Sequence, residues 1–235
     1  RDEILPHKAA TSQRAEQTYL KFWHNELGQY ALSFLTPEII SKKITLLAHA
    51  GDERLQLDKD AKPAKPKSRK TVKLYRDNLE VMLNHAQRWG WLGKNNPMDG
   101  VNRITKANNE RVRFLSNEER TALLQACKDS PNQQLHTIVI FALSTGARKS
   151  EILKLTLNDL DMDRCMAILR ETKNHETRKA PIGSHLKGIL LGHLQWRDDF
   201  ISRMKCNSNL LFPRSDGKAP IDIRKAWENA RNKAG

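Results

Sequence analysis

Apolar residues in the first hundred positions recur at steps of three and four, which is the spacing of one face of an α-helix. The first such set ends before Gly28, a residue common just past a helix end, and consists of Tyr19, Phe22, Trp23 and Leu27. A second helix is predicted to begin at Thr36, a plausible cap, with Pro37 at its first position. A third is predicted within "TVKLYRDNLEVMLNHAQRWGWLGKNNP", which holds the longest periodic pattern of this half.

The second half begins with Ser116 and Glu119, whose S-x-x-E spacing before an apolar run is typical of a capping box. The apolar stretch "LHTIVIFALSTG" fits a buried helix, although its Ile and Val content would also suit a strand. A separate helix is predicted over "LSTGARKSEILKL", capped by Ser144 or Thr145 and with Arg148 in its first turn.

Two short alternating runs, residues 166–172 and 177–182, flank a polar tip and predict a β-hairpin. Two more helices are expected over "SHLKGILLGHLQWRDDFISRM" and "IDIRKAWENARNKAG". Between the halves, residues 96–113 are polar, rich in turn-forming residues and without periodicity, as an interdomain linker would be. We therefore predict a mainly α protein with a small antiparallel β-hairpin sheet, built as two domains.

The chain carries 41 Lys and Arg against 27 Asp and Glu, a formal net charge of +14. Such an excess concentrates polyanions near the surface, which favours nucleic acid as the partner and places anionic membranes second. No run approaches the roughly 18 apolar residues of a membrane span, and no apolar secretion signal lies near the amino end. The three cysteines are widely separated and lack metal-ligand spacing, so we expect free thiols, no metal and a cytoplasmic protein.

Arg148 and Lys149 pose an electrostatic question, because cations in the first turn of a helix face the positive end of its dipole. A phosphate bound to free amides of residues 144–146 would make this placement favourable. Alternatively, Arg148 points to solvent and Glu151, three residues further on, neutralises it as an ordinary helix pair, and both explanations stay open at this point. Lys173, at the hairpin tip, is either a solvated turn residue or a long cation that reaches into a closed site.

The segment "TGARKSEILKLTLNDLD" resembles the first catalytic box of the tyrosine recombinases, the phage integrase family, in which T-G-x-R-x-x-E precedes an apolar helix. "ILRETKNHETRKAPIG" is similar to the β-hairpin of that family, and the joint match is more specific than either motif alone. "RFLSNEERTALLQAC" is similar to the opening helix of the catalytic domain, and "RKTVKLYRDNLEVMLNHAQRWGWLGKNNP" to the last long helix of the core-binding domain. The resemblance implies a helical, SAM-like core-binding domain at residues 1–107, a linker at 108–113 and an incomplete catalytic domain at 114–235.

The resemblance also implies roles for three residues. Arg148 would contact the scissile phosphate and stabilise the charge of the phosphorane-like transition state, with Glu151 supporting its geometry. Lys173 would protonate the leaving 5′ oxygen of the cut strand. The family uses no metal and no nucleotide cofactor, binds double-stranded DNA and recombines as four protomers on paired sites. The implied activity is site-specific DNA recombination or integration through a phosphotyrosine intermediate.

The sequence departs from the family after "RKAWENARNKAG", where an H-x-x-R box, a further His or Trp and the nucleophilic tyrosine would follow. Its three tyrosines, Tyr19, Tyr30 and Tyr75, lie in the first domain at positions that suit helix packing. We therefore expect this chain to bind DNA without cutting it and the full-length protein to do both. A non-catalytic DNA-binding protein, such as a natural shortened integrase or regulator, is the alternative, and an RNA-binding protein is a weaker one.

A cluster of basic residues leads into the third helix, where cations and free amides can meet successive phosphates. Its members are Lys62, Lys65, Lys67, Arg69, Lys70 and Lys73. The resemblance supports a role in DNA binding, because the core-binding domain of the family clamps the duplex opposite the catalytic domain. Six phosphate contacts would give a slope of about −5 for the logarithm of affinity against that of salt concentration.

Overall fold

The computed structural model describes residues 5–8, 10–49, 66–105, 113–170 and 177–235. The chain forms two compact units, Arg1–Val112 and Arg113–Gly235. Nearly all of the predicted linker at 108–113 lies outside the described residues. The finer boundaries, and the assignment of residues 1–107 as a core-binding domain, therefore stay predictions.

The described part of the first unit contains the three predicted helices, and capping hydrogen bonds mark the starts of two of them. The helices are α1 (Ala10–Leu27), α2 (Pro37–His49) and α3 (Arg69–Arg88). The predicted cap of α2 is confirmed, since Thr36 Oγ1 accepts a hydrogen bond from the Ile39 amide at 3.3 Å. The cap of α3 is Ser68, whose Oγ accepts from the Thr71 amide at 3.1 Å.

Trp23 lies in the core of the first unit, with 1% of its surface exposed. Its indole Nε1 donates to the Tyr75 carbonyl oxygen at 2.9 Å, which ties α1 to α3. The Tyr75 ring also packs edge-on against Tyr19, with ring centroids 4.6 Å apart. The apolar faces predicted from the helical spacing therefore meet in one core.

The second unit combines helices with a small sheet. Its described helices are α4 (Asn117–Lys128), α5 (Leu135–Thr145), α6 (Lys149–Leu153), α7 (Ser184–Met204) and α8 (Arg224–Ala234). Its strands are β1 (Leu160–Asp161), β2 (Met166–Leu169) and β3 (Arg178–Pro181), antiparallel and in that order across the sheet. The prediction of a mainly α chain with a small antiparallel sheet is confirmed. The sequence did not predict β1, because two residues are too few to show alternation.

Local patterns in the second unit place most elements correctly. At the start of α4 the Glu119 amide donates to Ser116 Oγ at 3.2 Å, and the Ser116 amide donates to Glu119 Oε2 at 2.9 Å. The predicted capping box is therefore confirmed. The ambiguous apolar stretch is the buried helix α5, and the predicted hairpin forms with Leu169 opposite Arg178. The predicted hairpin tip, Lys173 to Glu176, lies within residues 171–176, which are outside the described residues.

The prediction that Ser144 or Thr145 caps a new helix is wrong, because both residues belong to the last turn of α5. Thr145 Oγ1 bonds the Phe141 carbonyl oxygen at 2.7 Å within that helix. Gly146 then ends α5 with a φ of 62°, in the left-handed region that favours glycine. The next helix, α6, is only five residues long, and Arg148 stands at its cap position rather than in its first turn.

Candidate functional site

A buried carboxylate organises the turn between α5 and α6. The Glu151 side chain is 2% exposed and lies in the first turn of α6. Its Oε1 accepts a hydrogen bond from Arg148 Nη1 at 2.8 Å. Its Oε2 accepts from the Arg148 backbone amide at 3.0 Å and from Arg178 Nη2 at 3.1 Å. Both oxygens are thus occupied by donors, as a buried charge requires.

The Arg148 side chain stays 58% exposed although its carboxylate partner is buried. Ordinary surface ion pairs join two solvated side chains and contribute at most about 1 kcal/mol. The Arg148–Glu151 pair differs, because the carboxylate is fixed inside the protein and bonds the guanidinium from its buried side. The pair that this alternative expected is present, but the burial of Glu151 distinguishes it from an ordinary helix pair. The arrangement presents a positioned guanidinium at the surface.

The electrostatic balance at Glu151 keeps it ionised. Burial raises the pKa of the Glu151 carboxyl, but hydrogen bonds from the Arg148 side chain and amide and from Arg178 outweigh that effect. The resulting pKa lies below the usual range, so the group is a carboxylate at neutral pH. It can therefore accept the three hydrogen bonds described above.

The backbone amides of residues 144–146 do not form the free anion site that the sequence suggested. Residues 144 and 145 lie in the last turn of α5, where the helix uses its own amides. The Gly146 amide donates to the Ala142 carbonyl oxygen at 2.9 Å. The amides of residues 144–146 are therefore not the phosphate donors that the sequence suggested, whereas the Arg148 guanidinium is exposed at this turn.

Arg178, the first residue of β3, is a site residue that the sequence analysis did not single out. Besides its bond to Glu151, its Nη2 donates to the Gly146 carbonyl oxygen at 3.4 Å. These two contacts join β3 to the turn between α5 and α6. One sign of its importance was visible, because Arg178 lies on the basic returning strand of the hairpin, shortly after Lys173. Its partner 27 residues away was visible only in the fold.

A second buried carboxylate holds the other strand of the hairpin. Asp159 is 4% exposed and accepts hydrogen bonds from the Thr156 amide at 3.0 Å and the Thr156 hydroxyl at 2.6 Å. Its Oδ1 also accepts from Arg170 Nε at 2.5 Å. Burial raises the pKa of the Asp159 carboxyl. The hydrogen bonds from Thr156 and Arg170 lower this pKa by more than burial raises it, so the pKa lies below the usual range.

The position of Lys173 relative to Arg148 stays a prediction. Arg170 is the last described residue before the hairpin tip, and Lys173 lies in the segment 171–176 outside the described residues. The two strands that lead to this segment are nevertheless both anchored. Arg170, which directly follows β2, bonds Asp159, and Arg178, the first residue of β3, bonds Glu151.

The predicted DNA-binding residues are only partly within the described ranges. Lys62 and Lys65 lie outside them, whereas Lys67, Arg69, Lys70 and Lys73 lie inside. Arg69 and Lys70 occupy the first two positions of α3 and are exposed. Lys73 forms an ion pair with Asp77 one turn further along the helix. Contact of any of these residues with DNA stays a prediction.

The cysteines and the potential metal ligands among the described residues were the other candidates for a chemical site. Cys127, Cys165 and Cys206 are free thiols, as predicted. Within residues 5–8, 10–49, 66–105, 113–170 and 177–235, no three His, Cys, Asp or Glu side chains are grouped to hold a metal ion. Over the same ranges, no helix has both the length and the apolar character needed to cross a membrane.

Sequence comparison relates this chain to proteins that act on DNA. A model of the phage integrase family matches residues 113–235. The shufflon-specific DNA recombinase of Escherichia coli is 32% identical over 127 residues, which cover 54% of this chain and 32% of that protein. The integrase of Salmonella phage P22 is 26% identical over 185 residues, which cover 73% of this chain and 44% of that protein. The chain therefore spans less than half the length of either relative.

Structural comparison supports the same fold for the chain. A lambda integrase dimer bound to a COC′ core site gives a TM-score of 0.67 at 16% identity, covering 97% of this chain and 73% of that chain. A lambda integrase tetramer bound to a Holliday junction gives 0.68 at 16% identity, covering 99% and 61%. The family match covers the whole second unit and more than half of the sequence. The chain thus belongs to the phage integrase family, the tyrosine recombinases.

Proposed function

We propose that this chain is part of an enzyme that recombines or integrates DNA at specific sites, cutting and rejoining strands through a phosphotyrosine intermediate. The observation that carries the proposal is the exposed Arg148 guanidinium held by the buried Glu151 within the motif T-G-x-R-x-x-E. A guanidinium of fixed direction suits a phosphate, because its donors match the phosphate oxygens in pairs. An integrase and a DNA recombinase among the relatives support this assignment.

Each proposed site residue has a separate role. Arg148 binds the scissile phosphate and stabilises the charge that develops on its oxygens, and Glu151 positions that guanidinium. Lys173 protonates the leaving 5′ oxygen, so that the strand does not leave as an alkoxide. The tyrosine of the full-length protein keeps the bond energy as a phosphotyrosine. Rejoining by this route needs neither a metal nor a nucleotide cofactor.

The proposed partner is double-stranded DNA, bound by both units. Arg69 and Lys70 place two cations at the positive end of α3, where they can meet backbone phosphates, and Lys62, Lys65, Lys67 and Lys73 complete the proposed set. The chain shares its fold with lambda integrase, of which a tetramer has been crystallised on a Holliday junction. We propose that the full-length protein likewise assembles as a tetramer on paired sites.

By itself, the chain is proposed to bind DNA without cutting it. Tyr19, Tyr30 and Tyr75 all pack against the core of the first unit. A phenol that contributes to a helical core is badly placed to attack a phosphate in line, so none of the three is proposed as the nucleophile. The same observation favours a second candidate function, a non-catalytic DNA-binding protein that occupies sites or regulates excision.

DNA binding can be tested with the 235-residue chain and a fluorescent duplex of random sequence, by anisotropy over a range of salt concentrations. Random sequence suffices because phosphate contacts are independent of the bases. The six contacts of the first unit alone predict a slope of about −5, to which the Arg148 contact adds about −0.9, and Arg69→Gln and Lys70→Gln are each expected to reduce its magnitude by about 0.9. Arg88→Gln is the matched control, because Arg88 is exposed at the opposite end of α3, about 28 Å away.

Four outcomes would count against the proposal. Binding that does not depend on salt, or a preference for single-stranded RNA, would refute duplex DNA as the partner. Equal slopes for Arg69→Gln, Lys70→Gln and Arg88→Gln would remove the start of α3 from the interface. A covalent protein–DNA adduct that survives denaturation would contradict the proposal that this chain lacks the nucleophile.

A further inference from the structure

One buried carboxylate at the site holds two guanidiniums. Arg148 bonds Oε1 of Glu151 at 2.8 Å, and Arg178 bonds Oε2 at 3.1 Å. The two arginines come from different elements, the cap of α6 and the start of β3. Because they share one carboxylate, the two guanidiniums are near neighbours at the surface.

The charges at this site do not cancel. Two arginines and one carboxylate leave a net charge of +1 around Glu151. A carboxylate that needed only neutralisation would be satisfied by Arg148, which already supplies a side-chain bond and an amide bond. Placing Arg178 next to Arg148 adds like-charge repulsion, which one bound phosphodiester of charge −1 would relieve.

Both guanidiniums keep donors for such a ligand. The Arg148 side chain is 58% exposed and the Arg178 side chain 40% exposed. Over the described part of the chain, the recorded hydrogen bonds of the Arg148 side chain use Nη1 and those of Arg178 use Nη2. A guanidinium carries five N–H donors, so several remain on each residue. The pair therefore has unused donors, a surplus positive charge and a fixed support.

We propose that Arg178 is a second phosphate-binding arginine, which contacts the same backbone phosphodiester of duplex DNA as Arg148. Glu151 acts as a common support that brings both guanidiniums to one phosphate. This inference rests on the proposed function, because it takes the ligand of Arg148 to be a DNA phosphate. It adds a residue of β3 to the site and assigns it direct contact rather than a purely structural role.

The test uses the salt dependence of duplex binding by the 235-residue chain. Arg178→Gln is expected to weaken binding about tenfold, through the loss of a charge-assisted hydrogen bond, while the slope changes by clearly less than about 0.9, because Arg148 still neutralises the shared phosphate. Lys179→Gln is the matched control, because Lys179 is the next residue of β3 and points to the opposite, exposed face of the strand. The control is expected to keep both the wild-type affinity and the wild-type slope.

A double variant separates direct contact from an indirect effect through Arg148. If both arginines contact one phosphate, only Arg148→Gln combined with Arg178→Gln removes that contact completely and reduces the magnitude of the slope by about 0.9. If Arg178 only positions Arg148, Arg148→Gln alone already has the slope and the affinity of the double variant, and that result would overturn the inference. Wild-type affinity of Arg178→Gln at every salt concentration would overturn it as well, while leaving DNA binding by Arg148 intact.

Thermal unfolding of each variant shows whether it folds. Should Arg178→Gln fail to fold, Arg178→Lys keeps a cation beside Glu151 but loses the paired donors of arginine. This variant is expected to keep the wild-type slope and to bind about threefold more weakly at every salt concentration. Affinity equal to that of the wild type would overturn the inference. Absence of salt-dependent binding by the wild-type chain would instead refute the proposed function itself.

Discussion

Glu151 holds Arg148 at two points, with its Oε1 2.8 Å from Arg148 Nη1 and its Oε2 3.0 Å from the Arg148 backbone amide. The main chain and the side chain of the arginine are therefore fixed by one carboxylate. Since that carboxylate is buried and the guanidinium is exposed, the direction of Arg148 is set by the protein before any ligand arrives. Such preorganisation is what stabilisation of a phosphoryl transition state requires.

Arg148→Ala is expected to abolish covalent attachment to DNA in a full-length protein that carries the tyrosine. Duplex binding should stay within about tenfold of the wild type, because the change removes one phosphate contact among several. The measurement is denaturing electrophoresis of a labelled DNA substrate, with native electrophoresis for binding. Lys149→Ala, the neighbouring exposed cation, is the control. Wild-type amounts of adduct in Arg148→Ala would contradict the assignment of Arg148 as a catalytic residue.

Lys173→Ala is expected to slow cleavage of a normal strand in the full-length protein. Replacing the leaving 5′ oxygen by sulfur should restore most of the rate, since a thiolate leaves without being protonated. Cleavage rates on the two substrates provide the measurement, and Lys179→Ala serves as a control on the same hairpin. If sulfur brings no rescue, Lys173 is not the general acid.

Glu151→Gln is expected to weaken the acid dependence of stability. The folded chain holds the pKa of Glu151 below its ordinary value of 4.5, so the unfolded state binds more protons as the pH falls. The contribution to the free energy of unfolding is therefore fully present above about pH 4.5 and is lost as the pH falls through the folded pKa.

The measurement is denaturant unfolding at several pH values between neutral and acid. At neutral pH, Glu151→Gln should be less stable by about 1–3 kcal/mol, because two arginines lose their charged acceptor. Towards acid pH the difference from the wild type should shrink. Glu228→Gln, which removes an exposed carboxylate in α8, controls for the change in net charge. A difference that stays constant across this range would contradict the assigned ionisation of Glu151.

Asp159→Asn is expected to lower the free energy of unfolding by about 1–3 kcal/mol, since the buried acceptor of Arg170 and Thr156 loses its charge. Asp163→Asn changes an exposed residue nearby and should stay within about 0.5 kcal/mol of the wild type. Chemical denaturation of both variants measures the difference. Equal stability of the two variants would show that Asp159 does not anchor the hairpin.

Features that depend on interactions between residues close together in the chain were predicted correctly from the sequence. Capping residues such as Ser116 and Thr36 act on amides three residues away, so short patterns identified both helix starts. Ser144 and Thr145 looked equally suitable as caps. In the structure they form the last turn of α5, and the next residue, Gly146, ends that helix in a left-handed conformation. Whether such residues end one helix or begin the next depends on the backbone conformation, which residue preferences for cap positions alone do not predict.

The sequence alone identified only part of the site. Arg148 and Glu151 lie three residues apart in a recognisable motif, so both were identified as candidates. That Glu151 is buried, and that Arg178 reaches it from 27 residues away, depends on the packing of β3 against the turn before α6. No local spacing encodes a contact of that range.

We propose that the site around Arg148 and Glu151 serves DNA strand transfer in the full-length protein. The sequence of the encoding DNA beyond the codon for Gly235 tests this proposal. We expect an open reading frame that continues with an H-x-x-R box and, in the same domain, a tyrosine. A stop codon directly after Gly235 would contradict strand transfer by this protein and favour a DNA-binding regulator that retains part of a catalytic site.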